Sequence, residues 1–204
     1  MDGESLCWLH GPAGAGKSAI EQTVAEACAS RGQLAASFFS RSSRNGIKIK
    51  CLFLTIVFQI AVSPHNKREK LANILDVDPH IVDRASGSVD LLVRLLDGPL
   101  VPSFLPFLIV IDGLEECHGN DDVSLILAQI LALVQDHHLP FRFFLIFSRP
   151  EPHIRDTFDS PPMENLTKKM SLYGNTALAK MSCITFGASL PAYMAQRGTR
   201  TSCS

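Results

Sequence analysis

An α/β fold built on a mainly parallel sheet is predicted by three features of the sequence. Short apolar runs alternate with segments of helical period. The run Phe107-Leu108-Ile109-Val110-Ile111 is apolar without alternation and ends in Asp112, as a strand buried on both faces does. A Gly/Ala-rich octapeptide, residues 11–18, separates the first apolar run from the first helical pattern. The chain has 204 residues, 46% of them hydrophobic and 19% charged, a globular balance suited to about one domain.

Leu6-Cys7-Trp8-Leu9-His10 reads as the first strand and stops at Gly11. The helix that follows the octapeptide places Ile20, Val24, Ala27 and Cys28 on one face, and Gly32 stands where a left-handed C-terminal cap is expected. Leu34 to Phe39 is the second strand. After a polar basic loop from Arg41 to Gly46, Ile49, Leu52, Phe53, Ile56 and Ile60 give a helix that ends near Pro64. Helices over Lys67–Asp76 and Ser88–Asp97 follow, the second with Val89, Leu92, Val93 and Leu96 aligned. The strand ending at Asp112 is next. A helix from about Asp121 to His137 then carries Val123, Ile126, Leu127, Ile130, Leu131 and Val134 on one stripe, with two acids at its positive end. Phe141 to Phe147 forms another strand, closed by Ser148-Arg149-Pro150, and Met170 to Tyr173 a last one. Beyond it, residues 174–204 contain no acid and no sustained period. The expected organisation is a domain over 1–173 and a loosely ordered tail over 174–204.

Nineteen Lys+Arg against 20 Asp+Glu leave a formal net charge of −1, so no global positive field exists to hold nucleic acid or an anionic membrane. No apolar stretch reaches the roughly 20 residues that a membrane helix needs. The six cysteines form no CxxC pair and no zinc spacing, and the N-terminus carries no signal-peptide pattern. A reducing, cytoplasmic location is expected, with the cysteines as packing residues.

Gly11-Pro12-Ala13-Gly14-Ala15-Gly16-Lys17-Ser18 satisfies G-x-x-x-x-G-K-[ST] between a strand and a helix, the context that a phosphate-binding loop requires. Glycines let successive backbone N–H groups turn inward around phosphates, and the helix directs its positive end at them. Lys17 is expected to reach the β- and γ-phosphate oxygens, and Ser18 to offer its hydroxyl to Mg²⁺. Asp112, at a strand end, is the second candidate for the metal. Glu115 and Glu116 follow at the edge where ligands bind in open α/β sheets, and one of them can deprotonate an attacking water. Arg149 ends the neighbouring strand and is expected to face the γ-phosphate. Arg41 and Arg44 read as solvated loop residues, and His137 and His138 as partners of a helix dipole. Trp8, Phe38, Phe39, Phe143 and Phe144 read as core rather than as base-stacking surfaces.

With this loop, Ile109-Val110-Ile111-Asp112-Gly113-Leu114-Glu115-Glu116-Cys117 and Phe147-Ser148-Arg149-Pro150, the chain resembles the NACHT-type NTPases. More narrowly, it is similar to fungal NACHT and nephrocystin-3-like N-terminal P-loop domains, over about Leu6 to Tyr173; the segments Gln33–Arg41 and Thr55–Ala61 add to the likeness. The resemblance implies a three-layer P-loop NTPase fold with a five-stranded sheet ordered 5-1-4-3-2. It implies the class of signal-transduction ATPases with numerous domains (STAND), in which nucleotide state switches a regulatory protein between resting and oligomeric forms. On that basis residues 11–18 form the Walker A loop that binds ATP or another NTP, Ser18 and Asp112 hold Mg²⁺, and Glu116 and Arg149 are the catalytic pair. Family members usually carry Asp-Glu where this chain has Glu115-Glu116, so Glu116 inherits the catalytic position.

The function expected is that of a Mg²⁺-dependent ATP-binding module of a signalling switch, with slow hydrolysis and a homo-oligomer as partner. Two alternatives stay open: a truncated remnant that binds nucleotide without turnover, and a small-molecule P-loop kinase. A GTPase is disfavoured, because the string nearest to N-K-x-D, Asn66-Lys67-Arg68-Glu69, has Glu at its last position and follows a helix.

Overall fold

The computed structural model describes residues 5–39, 49–63, 67–84, 86–97, 108–117, 120–136 and 143–173. Five strands run through them: β1 Leu6–His10, β2 Leu34–Phe39, β3 Leu108–Asp112, β4 Phe143–Ser148 and β5 Thr167–Ser171. The helices are α1 Lys17–Ser30, α2 Ile49–Val62, α3 Arg68–Val77, α4 Gly87–Leu96, α5 Asn120–Gln135, α6 Pro152–Asp159 and α7 Met163–Leu166, with 3-10 turns at Ile81–Asp83 and Leu114–Glu116. The strands form one sheet in the order β2-β3-β4-β1-β5, every neighbouring pair parallel. Read from the β5 edge, this is the expected order 5-1-4-3-2, and the sheet is wholly rather than mainly parallel.

Alternate side chains of the central strands serve two apolar layers. Leu6, Trp8, Ile109, Ile111, Phe144 and Ile146 face the larger one, against α2, α4, α5 and α6. Cys7, Leu9, Leu108, Val110, Leu145 and Phe147 face the other, with Ile20 and Cys28 of α1. The result is three layers, helix on sheet on helix. The two-sided burial explains why Leu108–Ile111 is apolar at every position: all of β3 is buried.

Both sheet edges depart from that pattern. Along β2, Gln59 of α2 accepts a hydrogen bond from the Ser37 amide at 2.9 Å and donates to the Ser37 carbonyl at 2.7 Å. That side-chain clamp occupies backbone groups of an edge strand. At the opposite edge, β5 begins at Thr167, three residues before the expected Met170, and ends at Ser171, so Leu172 and Tyr173 lie beyond it. The sequence Thr-Lys-Lys-Met-Ser hides the strand because an edge strand need not be apolar on both faces.

Helices α6 and α7 were not anticipated by periodicity. The first is short, starts on Pro152 at its first turn and buries Ile154 and Phe158, a single i, i+4 pair. Phe158 stacks on Trp8 with ring centroids 4.4 Å apart. In α4 the buried set is Gly87, Ser88, Leu91, Leu92, Leu95 and Leu96, so the stripe is rotated from the expected one, with Val89 and Val93 at its margin. In α1 Ile20 and Cys28 are buried, but Ala27 is exposed and Glu21 takes a place in the buried face. Phe39 is a further correction: assigned to the core by its strand, it is 41% exposed at the end of an edge strand. Arg41, Arg44, His137, His138 and the tail 174–204 lie outside the described residues.

Candidate functional site

The octapeptide joins β1 to α1 at the carboxyl edge of the sheet. β1 lies between β4 and β5, and backbone bonds carry the ladder to its end. The Gly11 amide donates to the Ser148 carbonyl at 3.4 Å and the Leu172 amide to the His10 carbonyl at 2.8 Å. Gly14 and Gly16 have φ of +76° and +79°. Gly16 is the N-cap of α1, and an L side chain in that left-handed region would strain the turn that starts the helix. No acid of the helix itself occupies the first turn of α1, where an anion is favoured by the helix dipole.

Pro12, Ala13, Gly14 and Gly16 are exposed, but Lys17 is buried. Its Nζ donates to the carbonyl oxygens of Gly11 at 2.9 Å and Pro12 at 3.0 Å. The stem is therefore packed and the ammonium turned into the loop rather than toward solvent. Ser18 is exposed, and its Oγ donates to Oδ2 of Asp112 at 2.7 Å. Asp112 is buried at the end of β3. A hydroxyl and a carboxylate oxygen side by side are hard donors of the kind that Mg²⁺ accepts, and Mg²⁺ commonly takes one or two protein oxygens and keeps water for the rest. The donor set fits that ion. No cluster of three or more His, Cys, Asp and Glu suited to a metal occurs among the described residues.

Two acids follow Asp112 in a 3-10 turn. Gly113 takes φ +79° and begins the 3-10 turn, and its amide donates to the Phe147 carbonyl at 3.1 Å, which ties the turn to β4. Glu115 is turned inward: its side chain is 10% exposed and its Oε1 lies 3.5 Å from Nε of Arg149. Burial pushes its carboxyl above the usual range, opposed by amides of Glu115 and Arg149 and by the Lys17 charge, while Asp112 adds to the rise. Its Oε2 is buried without a hydrogen-bond partner. Glu116, the last residue of the turn, is half-buried, and its charge reaches the Cys117 thiol, as that of Glu115 does. That thiol is pushed up to about 12 by burial and by Asp122, Glu115 and Glu116, which leaves it protonated and unreactive.

Residues 11–18, Asp112 and Arg149 thus gather at one end of the sheet, with Glu115 turned toward Arg149. Beside Ser18 and Asp112 opens a cleft of about 540 Å³, lined also by Gln22, Glu26, Ser37 and Phe39.

Sequence reasoning missed Glu21. It is fully buried, one helical turn after Ser18, against the Asp112 carboxyl. Burial first, and then Asp112, push its carboxyl up to about 10. Neither of its oxygens meets a donor, so the contact becomes a hydrogen bond when the protonated Glu21 donates to Asp112. The one available signal was a charged residue at i+3 from Ser18, next to the apolar stripe of α1.

No curated protein matches the chain. The family model described as nephrocystin 3, N-terminal, matches residues 1–149, a span that includes the loop 11–18, Asp112, Glu115, Glu116 and Arg149. Because that match covers well over half of the sequence, the chain belongs to the nephrocystin 3 N-terminal family.

Proposed function

We propose that this chain is a Mg²⁺-dependent ATP-binding module of a NACHT-type, STAND-class signalling switch, capable of slow hydrolysis. The observation that carries the reading is the pairing at the start of α1. Lys17 is drawn into the loop by the Gly11 and Pro12 carbonyls, while the next residue, Ser18, reaches Asp112 across the sheet edge at 2.7 Å. A lysine held within a backbone loop at a helix N-terminus is suited to a chain of phosphates. A hydroxyl paired with a carboxylate is suited to the cation that accompanies them.

Each side chain has a separable task. Lys17 exchanges its loop carbonyls for phosphate oxygens and so fixes the nucleotide against the loop. Ser18 and Asp112 would hold Mg²⁺, which when bound neutralises charge that builds on the phosphate oxygens. Arg149, half-exposed at the end of β4, adds a guanidinium to the same oxygens. For water activation the geometry favours Glu115 over the Glu116 implied by family pattern. Glu115 is oriented by Arg149, and its raised affinity for a proton suits a base that takes one from water as the oxygen attacks phosphorus. In this reading nucleotide is the partner, self-association is the output and the location is cytoplasmic; among the described residues no helix is long and apolar enough to cross a membrane.

The test is a titration of the purified chain with ATP and with GTP, each with and without Mg²⁺, followed by single-turnover hydrolysis. ATP binding that strengthens with Mg²⁺ is expected. Absence of binding to either nucleotide would overturn the reading.

A further inference from the structure

Glu21 has no structural reason to be acidic. It lies on the buried face of α1 beside Ile20 and Ala25, with no exposure, and neither carboxyl oxygen meets a hydrogen-bond donor. A carboxyl taken out of water without a donor costs stability, and an apolar side chain of similar size would not incur that cost. The polar group that it faces is the Asp112 carboxyl. Ser18 approaches the same carboxyl from the exposed side. Residues three apart on a helix share a face, so one turn of α1 delivers two polar side chains to one carboxylate from β3, 94 residues away in the chain.

We propose that Glu21 is a positioning residue for the cation site: packed behind Asp112, it fixes the orientation in which that carboxylate and Ser18 present their oxygens together. This rests on the nucleotide reading above. Glu21 does not touch nucleotide or attacking water; it acts through Asp112. Outer partners of metal ligands commonly hold such orientations, and their loss typically weakens metal binding roughly 10- to 100-fold.

The experiment compares the full chain with Glu21→Leu, Glu21→Met and Glu21→Gln. Binding of a fluorescent N-methylanthraniloyl ADP is followed as Mg²⁺ is varied, with a parallel arm in EDTA and a melting curve without metal or nucleotide. The apolar variants should fold and melt close to the parent, because neither oxygen of the buried carboxyl accepts a hydrogen bond and leucine or methionine fills the same space. They should nevertheless need roughly 10- to 100-fold more Mg²⁺ for half-maximal binding, with affinity in EDTA unchanged. Glu21→Gln keeps the size and reach of the side chain packed behind Asp112 and should retain the Mg²⁺ dependence of the parent. A Mg²⁺ requirement unchanged in the folded apolar variants overturns the proposal. So does a melting temperature lowered in all three, which would make Glu21 part of the core. A parent chain that does not bind the probe overturns the nucleotide reading along with this one, whereas a parent that binds and is matched by its variants overturns this one alone.

Discussion

Lys17 is the side-chain cation that hydrogen-bonds within the loop, and its removal leaves phosphate charge to backbone dipoles and metal. A charge-assisted hydrogen bond contributes about 1.5–3 kcal/mol, so Lys17→Ala should weaken Mg²⁺·ATP binding roughly 10- to 100-fold in an equilibrium titration. Equal affinity would remove the loop from the site. The two acids of the 3-10 turn give a sharper contrast. Glu115 lies against Arg149 and responds to Lys17 and Asp112. Glu115→Gln should therefore slow single-turnover hydrolysis by roughly 10²- to 10⁴-fold, with the smaller loss in Glu116→Gln and binding retained in both. The reverse ranking would return the base to Glu116. Both acids were legible as candidates from their place after Asp112. The inward turn of Glu115 toward Arg149 was not, because the direction of a side chain in a tight turn depends on Gly113 and on the anchoring of the turn to β4.

Helix α4 is attached to the preceding 3-10 turn at a point where only glycine fits. A Cβ on Gly87 would stand 1.6 Å from the Ile81 carbonyl oxygen and 2.7 Å from its carbon, and backbone cannot yield as the end of a side chain can. Gly87→Ala should destabilise the fold by roughly 1–3 kcal/mol or more. The melting temperature should fall by about 2–4 °C for each kcal/mol in a chain of this size. A melting curve that matches the parent would mean that the turn relaxes freely. The elements themselves were mostly legible: α2 and α5 bury the stripes that their periods predict, among them Leu52, Phe53, Ile56, Val123, Ile126 and Ile130. The failures share a cause. α6 spans only eight residues, too few to establish a period, and β5 is an edge strand whose polar residues carry no burial signal.

The buried acid pair also imposes a pH dependence on folding. Glu21 has an ordinary value of 4.5 and is pushed up to about 10 in the folded protein, by burial first and then by Asp112. Above its ordinary value the unfolded chain releases this proton while the folded chain keeps it, so the unfolded state binds fewer protons and stability falls as pH rises. The contribution is fully present below 4.5 and declines up to about 10, with a slope of at most about 1.4 kcal/mol per pH unit for one proton. Melting curves from about pH 6 to about pH 9 should fall more steeply for the parent than for Glu21→Leu; parallel curves would show that Glu21 ionises freely. Read alone, the sequence determined the alternation of strand and helix, the two-sided burial of β3 and the placement of the phosphate-loop motif between β1 and α1, because each is set by local period and by the backbone needs of glycine. The order 5-1-4-3-2 was implied by resemblance and is now seen in the sheet. Tertiary structure alone decided that Ser18 meets Asp112, that Glu115 turns to Arg149 and that Glu21 is sealed behind Asp112. Those contacts join segments far apart in the chain, and hydrophobic period records how polar a face is but not which distant group will be packed against it.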